Sequence, residues 1–274
     1  MLVVGTVAGG SPSRASSTHA TGAVTLHDAP QQLPAGGPQL VHGAIADVLV
    51  RVRGGAICSG TPITGTVYVA TAAHCVLDGD GEVSGTRTVL QDGVEYTAVA
   101  VLVDPEYHDS PDPRHDAALL VMDRMLTGPS ATLGDELPAQ GLVTVAGFQP
   151  LDTDGSLLRG TRSDNRPQPH GSTGGIVRIA TAAAGCVHRS WELEITSTAV
   201  KVPCGLIPGA SGGGLFVERG GDVILVGIIS TVAHDLTYNA VVPLGALYEL
   251  LDNPGEYRHE MQVVAAAQPS TQAR

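Results

Sequence analysis

Ser211 lies in the segment PGASGGGLF, residues 208–216, where four glycines surround a single hydroxyl side chain. Glycine loses more backbone entropy on folding than any other residue, so this density is costly. A phosphate-binding loop would need a lysine after the glycines and a following helix, and the sequence continues with the strand-like residues 215–217. A plain turn accounts for one or two glycines. An exposed nucleophile accounts for all four, because substrate must reach its oxygen and the neighbouring backbone N–H groups.

A serine hydroxyl becomes nucleophilic only beside a base, and that base needs an orienting carboxylate. The segment YVATAAHCV supplies His74, with small residues before it and a cysteine after it. The segment RHDAALLVM supplies Asp116, at the start of an apolar run that is typical of a buried strand. These residue types predict acyl transfer through a serine, a histidine and an aspartate.

Other interpretations of the same residues stay open at this point. Ser211 could belong to a structural turn, His74 to the core, and Asp116 to the solvated end of a strand. Asp104 and Asp112 are rival carboxylates, but neither leads an apolar strand so directly.

The segments CSGTPI, VYVATAAHC, HDAALL and GASGGGLF, followed by VGIIS, resemble the chymotrypsin-like (trypsin-fold) serine peptidases of the compact bacterial type. The resemblance covers roughly residues 40–252, and the order histidine, aspartate, serine is that of the family. It implies that His74 is the general base and acid, Asp116 its orienting group and Ser211 the nucleophile. It further implies an oxyanion hole formed by the N–H groups of Gly209 and Ser211.

The resemblance also implies where substrate binds. The expected substrate-binding residues are those just before the serine and those of an edge strand: Gly205, Leu206, Ile207, Ser230, Thr231 and Val232. The back of the pocket is expected around Leu236 and Thr237. No carboxylate occurs among these residues, which disfavours cleavage after arginine or lysine and favours small or medium apolar side chains. A glutamate preference remains an alternative if His234 joins Thr231 in the pocket.

One departure from the family concerns activation. The animal digestive members have an aspartate directly before the serine, which pairs with a newly cut N-terminus, and this chain has Ala210 there. We therefore expect activity that tolerates additional residues before Val41.

The elements that must position these groups are predicted to be strands. Short β-branched runs separated by Gly, Asp and Pro begin near Val41, and they include AIADVLVRV, GTVYVATAA, RTVLQDG, YTAVAVLVD, AALLVM, LVTVAGF, GGIVRIA, LEITSTAVKV and DVILVGIIS. The segment PLGALYELLDN has apolar residues at helical spacing. The pattern, with the resemblance, predicts an all-β fold of two six-stranded Greek-key barrels packed face to face, with a C-terminal helix.

The expected organisation has four parts. Residues 1–37 form a leader or flexible arm, residues 38–140 a barrel carrying His74 and Asp116, residues 141–253 a barrel and helix carrying Ser211, and residues 254–274 a loose tail. The apolar start MLVVGTVA suggests a signal sequence, but it lacks a positive flank, so a disordered N-terminus is an equal alternative.

Composition excludes several classes of protein. The net charge is −12 and no basic run occurs, which argues against binding to nucleic acid or anionic membranes. No apolar run approaches the roughly 18 residues of a membrane span. The cysteines have none of the short spacings of a zinc site. We expect no metal, no organic cofactor and no transmembrane segment.

The four cysteines fall as two close pairs, Cys58 with Cys75 and Cys186 with Cys204, among three connectivities that are formally allowed. We expect these pairs to be disulfides, which implies an oxidising compartment and a secreted or cell-envelope protein.

Together these observations predict a monomeric serine endopeptidase that acts on polypeptides through an acyl-enzyme. A non-catalytic binding module on the same fold and an esterase with the same three residues are the alternatives.

Overall fold

The computed structural model describes residues 37–54, 57–78, 81–83, 85–104, 106–107, 113–151, 156–157, 180–197, 199–233 and 237–261. The strands in this part of the chain are β1 (Gln39–Leu40), β2 (Val50–Arg53), β3 (Cys58–Pro62), β4 (Tyr68–Thr71), β5 (Thr88–Gln91), β6 (Val94–Val103), β7 (Ala118–Met122), β8 (Thr132–Leu133), β9 (Leu142–Pro150), β10 (Thr181–Arg189), β11 (Glu194–Ile195), β12 (Val200–Val202), β13 (Gly214–Arg219), β14 (Asp222–Val232), β15 (Asn239–Pro243) and β16 (Arg258–Glu260). The α-helices are α1 (Ala44–Asp47) and α2 (Gly245–Asp252), and 3₁₀ turns span Ala73–Cys75, Pro113–His115 and Ser190–Glu192.

The N-terminal sheet closes into a barrel of six strands in the order β2, β3, β4, β7, β6, β5, with β16 added to the edge of β6. The long strand β6 makes the closure possible. Its residues 94–97 pair with β5, and from Ala98 onward it pairs with β7, with a register shift between Ala98 and Ala100. Such an irregularity bends a strand and increases its twist, which lets one strand serve two neighbours.

The C-terminal sheet runs in the order β1, β10, β9, β13, β14, β15, β12, β11 along the described residues, with β8 alongside β14, and forms a half-barrel. Most of its pairs are antiparallel, and β13–β14 is a hairpin through the turn at Gly220 and Gly221, both of which have positive φ. The two sheets contact each other where β3 meets β9 and where β4 meets β14.

Apolar side chains fill both sheets. The larger core combines strands of the N-terminal barrel with Phe216 of β13, Ile228 of β14, and Leu247 and Leu250 of helix α2. A second core lies within the C-terminal sheet and includes Leu206, Leu215 and Ile229. Because β13 and β14 contribute to both cores, the segment that carries Ser211 is anchored on each side.

The predicted fold class is confirmed: the protein is mostly β, with two barrel-like sheets of the trypsin-like fold and few helices. The predicted C-terminal helix is also present as α2, which is followed by Pro254 and Gly255.

Two details of the sequence prediction were wrong. Residues 44–47 of the segment AIADVLVRV form helix α1 rather than a strand, because Ala and Asp have low strand preference and Asp47 N–H bonds back to the Gly43 carbonyl. The tail beyond residue 253 is not loose throughout, since β16 pairs with β6 and Met261 is buried.

Sheet membership also does not follow a single division at residue 140. Strand β1, near the N-terminus of the described chain, pairs with β10. Strand β8 pairs with β14. Residues 1–36 of the predicted arm, residues 174–179 of the predicted strand GGIVRIA, and the predicted pocket residues His234 and Leu236 lie outside the described residues. Within the described residues, no helix has both the length and the apolar character that a membrane crossing requires.

Candidate active site

His74 is held on a rigid turn between β4 and the body of the N-terminal barrel. The turn follows Ala72 and contains Ala73, both fully buried, so the chain packs closely beside the imidazole. A disulfide joins Cys75 to Cys58 on β3. The buried Arg87 donates from its guanidinium to the carbonyl oxygens of residues 75, 76 and 54, at 3.3, 3.1 and 2.6 Å. Three attachments therefore fix the backbone on which the imidazole is mounted.

Asp116 lies between the 3₁₀ turn Pro113–His115 and strand β7, and its side chain is 1% exposed. Its carboxylate accepts hydrogen bonds from the His74 backbone N–H at 3.0 Å and from Ser230 Oγ at 2.5 Å. His74 Nδ1 lies 2.8 Å from one carboxylate oxygen and 3.1 Å from the other. An ionised carboxylate only accepts hydrogen bonds, so Nδ1 carries the hydrogen and Nε2 of the neutral ring is left with its lone pair.

The carboxylate stays ionised despite its burial. Burial by itself would raise the pKa of Asp116, but the hydrogen bonds and charge of His74, with the hydrogen bond from Ser230, outweigh it and lower the pKa below its ordinary value. Nearby, burial and then the Asp116 charge raise the pKa of the Tyr107 phenol, which keeps that group protonated. The negative charge of this pair of side chains therefore stays on the Asp116 carboxylate, next to His74 Nδ1.

Two backbone N–H groups of the Ser211 segment have no hydrogen-bond partner among the described residues. The N–H groups of Ala210, Gly212 and Gly213 all donate to backbone carbonyls. Those of Gly209 and Ser211 have no acceptor among the described residues. Buried or half-buried N–H groups in native proteins are nearly always hydrogen-bonded. Two N–H groups without a partner, on either side of a bonded one at Ala210, therefore require an explanation.

Two of the glycines around Ser211 are required by geometry. Gly209 has φ +114°, in the region that side-chain-bearing residues rarely adopt. Gly212 has φ +78°, and a Cβ there would collide with the Thr71 hydroxyl and the Ser59 carbonyl. The segment is therefore held against the N-terminal barrel more closely than any residue with a side chain would permit.

Ser230 connects the predicted residues. Its side chain is buried and donates to Asp116, while its carbonyl accepts from Ser211 Oγ at 3.3 Å. The structure thus brings His74 and Asp116 into direct contact and joins Ser211 to them through Ser230. Among the described hydrogen bonds there is none between His74 and Ser211. The sequence had suggested Ser230 only as part of a substrate-binding edge, and no local pattern indicated its bond to Asp116.

The other predicted substrate-binding residues occupy two neighbouring segments. Thr231 and Val232 end strand β14, where they pair with residues 240 and 239 of β15. Leu206 is fully buried in the C-terminal core, so its side chain serves packing rather than a pocket wall. Its backbone N–H and carbonyl are both bonded by the buried side chain of Asn239, at 2.9 and 3.1 Å. Gly205 and Ile207 flank it, the first half-buried and the second buried. Asn239 was not anticipated from the sequence.

The rival carboxylate Asp104 is engaged elsewhere. It lies 2.6 Å from His115 Nδ1, and His115 Nε2 lies 3.3 Å from Glu106. These contacts hold His115 between two acids. Asp112 lies outside the described residues.

Both predicted disulfides are present, Cys58–Cys75 and Cys186–Cys204. Within the described residues, the one group of potential metal ligands whose atoms converge consists of Cys58, His74 and Cys75. Its two sulfur atoms are bonded to each other, so they cannot act as thiolate ligands.

Comparisons with known proteins agree with this architecture. The family described as the trypsin-like peptidase domain matches residues 58–228, more than half of the chain. No curated protein sequence matches significantly. A solved Glu endopeptidase in complex with MPD has a TM-score of 0.59 at 14% identity, over 82% of this chain and 99% of its own.

Two further solved structures are similar. The protease Anisep from Arthrobacter nicotinovorans has a TM-score of 0.52 at 16% identity, over 75% of this chain and 93% of its own. The thermostable serine protease AL20 from an extremophilic microorganism has a TM-score of 0.56 at 15% identity, over 78% of this chain and 98% of its own. At these sequence identities the structural similarity establishes only the fold, and membership of the family rests on the family match. The chain belongs to the trypsin-like peptidase family and is a serine-type endopeptidase.

Proposed function

We propose that this endopeptidase cleaves peptide bonds through an acyl-enzyme on Ser211. Ser211 Oγ bonds to the carbonyl carbon of the scissile peptide while its proton passes to His74 Nε2. The tetrahedral intermediate expels the amine, which leaves with that proton, and an ester remains. Water then attacks the ester and gives a proton to His74, and the freed Ser211 oxygen takes the proton back.

The unpaired N–H groups of Gly209 and Ser211 carry this proposal. One belongs to Ser211 itself and the other lies two residues before it, whereas the N–H groups of Ala210, Gly212 and Gly213 are bonded to carbonyls. Preorganised donors of this kind stabilise the negative charge that develops on the carbonyl oxygen. A structural turn would gain nothing from leaving these two donors unpaired.

Asp116 has two tasks in this mechanism. Its hydrogen bonds to the ring and to the backbone of His74 hold Nδ1 on the carboxylate, so that Nε2 is the ring nitrogen that takes the proton. Its buried charge also stabilises the imidazolium that forms when His74 takes the proton. The lowered pKa of Asp116 keeps that charge in place at neutral pH.

The resting hydroxyl must change its partner before it reacts. Ser211 Oγ donates to the Ser230 carbonyl at 3.3 Å, a long contact for a hydroxyl donor. In the reactive complex the hydroxyl donates to His74 Nε2 instead. Catalytic hydrogen bonds are often long or misaligned without substrate and shorten in the complex, so this exchange is expected.

We also propose that the residue before the cleaved bond is small or medium and apolar. The described residues around the expected pocket, 205–208, 230–232 and 237–239, include no acidic side chain. A buried arginine or lysine of the substrate would therefore lack a partner, which costs several kcal/mol. Val232 is a half-buried apolar side chain at this place, whereas Ile207 is buried like Leu206.

The two disulfides support action outside a reducing compartment. We propose that the protein is secreted or resides in the cell envelope. Fractionation of the native source, with detection of the oxidised cysteine pairs, tests this part of the proposal.

The decisive experiment for the chemistry combines labelling with substitution. A fluorophosphonate should label Ser211 of the wild-type chain, and peptide mapping should locate the adduct on that residue. Ser211→Ala should lose the label and lower kcat by roughly 10⁴- to 10⁶-fold, with an unchanged circular dichroism spectrum. Undiminished hydrolysis by Ser211→Ala would refute the mechanism.

A peptide-library digest read by mass spectrometry tests the specificity. We expect Ala, Val or Leu before most cleaved bonds. A preference for Arg or Lys would show that the pocket has been assigned to the wrong residues.

A further inference from the structure

The buried side chain of Ser59, on strand β3 of the N-terminal barrel, forms a hydrogen bond with the Ser211 segment. Ser59 Oγ donates to the Gly209 carbonyl at 2.8 Å and accepts from the Phe148 N–H at 2.7 Å. Its backbone N–H donates to the Ser211 carbonyl at 2.7 Å. Ser59 is fully buried, so water does not compete for these bonds.

The two carbonyls that Ser59 holds belong to particular peptide groups. The Gly209 carbonyl lies in the peptide that links residues 209 and 210, and the Ser211 carbonyl in the peptide that links residues 211 and 212. Between these two planes lies the peptide that carries the free Ser211 N–H. Because each peptide group is planar, fixing both neighbours restricts the rotation of the one between them.

Gly209 makes such a restraint necessary. Without a side chain it has access to many backbone conformations, and it adopts φ +114° here. Nothing intrinsic to glycine selects that angle. The hydrogen bond from Ser59 Oγ fixes the carbonyl of this residue, and the bond from Phe148 fixes the hydroxyl in turn.

We propose that Ser59 is a positioning residue that holds the Gly209 and Ser211 N–H groups in the orientation that stabilises the oxyanion. The inference rests on the proposed assignment of those two donors. It adds that the N-terminal barrel, which carries the general base, also sets the geometry of the oxyanion site on the C-terminal sheet.

The test compares Ser59→Ala with Thr61→Val. Thr61 lies on the same strand and is equally buried, and its hydroxyl has no hydrogen-bond partner in the described structure. We expect Ser59→Ala to lower kcat for a peptide amide substrate by about 10- to 100-fold, the range for a displaced or weakened oxyanion donor. KM should stay near the wild-type value, because the loss is confined to the transition state. Thr61→Val should leave kcat unchanged.

A second measurement separates positioning from general damage. A peptide aldehyde forms a tetrahedral adduct that places an oxygen in the same site, so its inhibition constant should rise in Ser59→Ala by a factor similar to the loss in kcat. All rates are divided by the concentration of sites that a fluorophosphonate titrates. If kcat per titrated site equals the wild-type value, or if aldehyde binding is unchanged, the proposal is overturned.

A matched pair at position 59 covers the case in which Ser59→Ala does not fold. Ser59→Thr and Ser59→Val add the same volume, and only the threonine keeps a hydroxyl. Higher kcat per titrated site for Ser59→Thr than for Ser59→Val supports the inference, and equal values overturn it. Should Ser211→Ala retain full activity, the proposed mechanism itself fails, and that result is independent of the Ser59 variants.

Discussion

Replacing Ser230 by alanine should destabilise the folded protein, chiefly because the ionised Asp116 carboxylate loses one of its hydrogen-bond donors. Asp116 is 1% exposed and receives donors from the backbone and ring of His74 and from Ser230 Oγ at 2.5 Å. Hydrogen bonds to charged groups contribute about 1.5–3 kcal/mol to stability. We therefore expect Ser230→Ala to lower the free energy of unfolding at pH 7 by about 1.5–3 kcal/mol.

The pH dependence of that loss identifies its cause. The folded-state pKa of Asp116 is lowered, so its ionisation stabilises the fold above the unfolded-state pKa of about 3.9. This stabilisation is lost as the pH falls through the lower, folded-state pKa. In Ser230→Ala the folded-state pKa rises, so the loss begins at a higher pH. The difference in stability between the two proteins should be full at neutral pH and should shrink once Asp116 is protonated in both.

The assay is urea unfolding followed by circular dichroism, with disulfides intact, in steps from pH 7 downwards. Both proteins carry Ser211→Ala so that neither digests itself during the measurement. Thr61→Val serves as the control, since its hydroxyl bonds to no charged group and its effect should not vary with pH. An equal destabilisation by Ser230→Ala at every pH, or none at pH 7, would refute the assignment of Asp116 as the ionised acceptor.

Three further outcomes follow from the structure. Replacing Cys186 and Cys204 together by alanine should lower the free energy of unfolding by about 3 kcal/mol, measured by urea titration. The kcat per folded molecule should stay close to wild type, because among the described hydrogen bonds neither cysteine is joined to His74, Asp116 or Ser211. Arg87→Lys should cost about 1.5–3 kcal/mol in the same assay, since one ammonium group cannot reach three carbonyls in the geometry of a guanidinium. Chains with extra residues before Val41 should hydrolyse peptides as fast as trimmed ones, because Ala210 is a buried apolar residue that offers a new N-terminus no partner; activity that appears only after trimming would contradict this.

The sequence indicates the proposed reacting groups more clearly than their supports. His74, Asp116 and Ser211 stand in segments whose residue types have a chemical reason to occur, so local patterns are enough to propose them. Ser59 and Ser230 stand in ordinary strands, where a serine has no distinctive neighbours. Their roles arise from contacts between residues 150 and 114 positions apart in the chain, and no local pattern records such distances.

The strand predictions failed where a strand pairs with a partner that is distant in the sequence. Strand β16 exists because the edge of β6 is available to it, and its three residues are exposed and charged or polar, without the alternation that marks a strand. Helix α1 occupies a run that looked continuous with β2, since apolar residues at 45 and 48 fit either element over so short a length. Longer elements such as β6, β14 and α2 contain enough residues for the spacing of their apolar side chains to show whether they are strands or helices.

The glycines around Ser211 show how a flexible sequence becomes a rigid site. Their freedom is needed for the positive φ of Gly209 and for the contact of Gly212 with β3 and β4, and the same freedom would let the N–H groups turn away. Bonds from outside the segment remove that freedom. Ser59 holds it from the N-terminal barrel, and Gly212 and Gly213 exchange hydrogen bonds with Ile229 of β14 in the C-terminal sheet. The conformation of the Ser211 segment is therefore held by bonds at the junction between the two sheets. Substitutions in either sheet that loosen these bonds should affect turnover before they affect substrate binding.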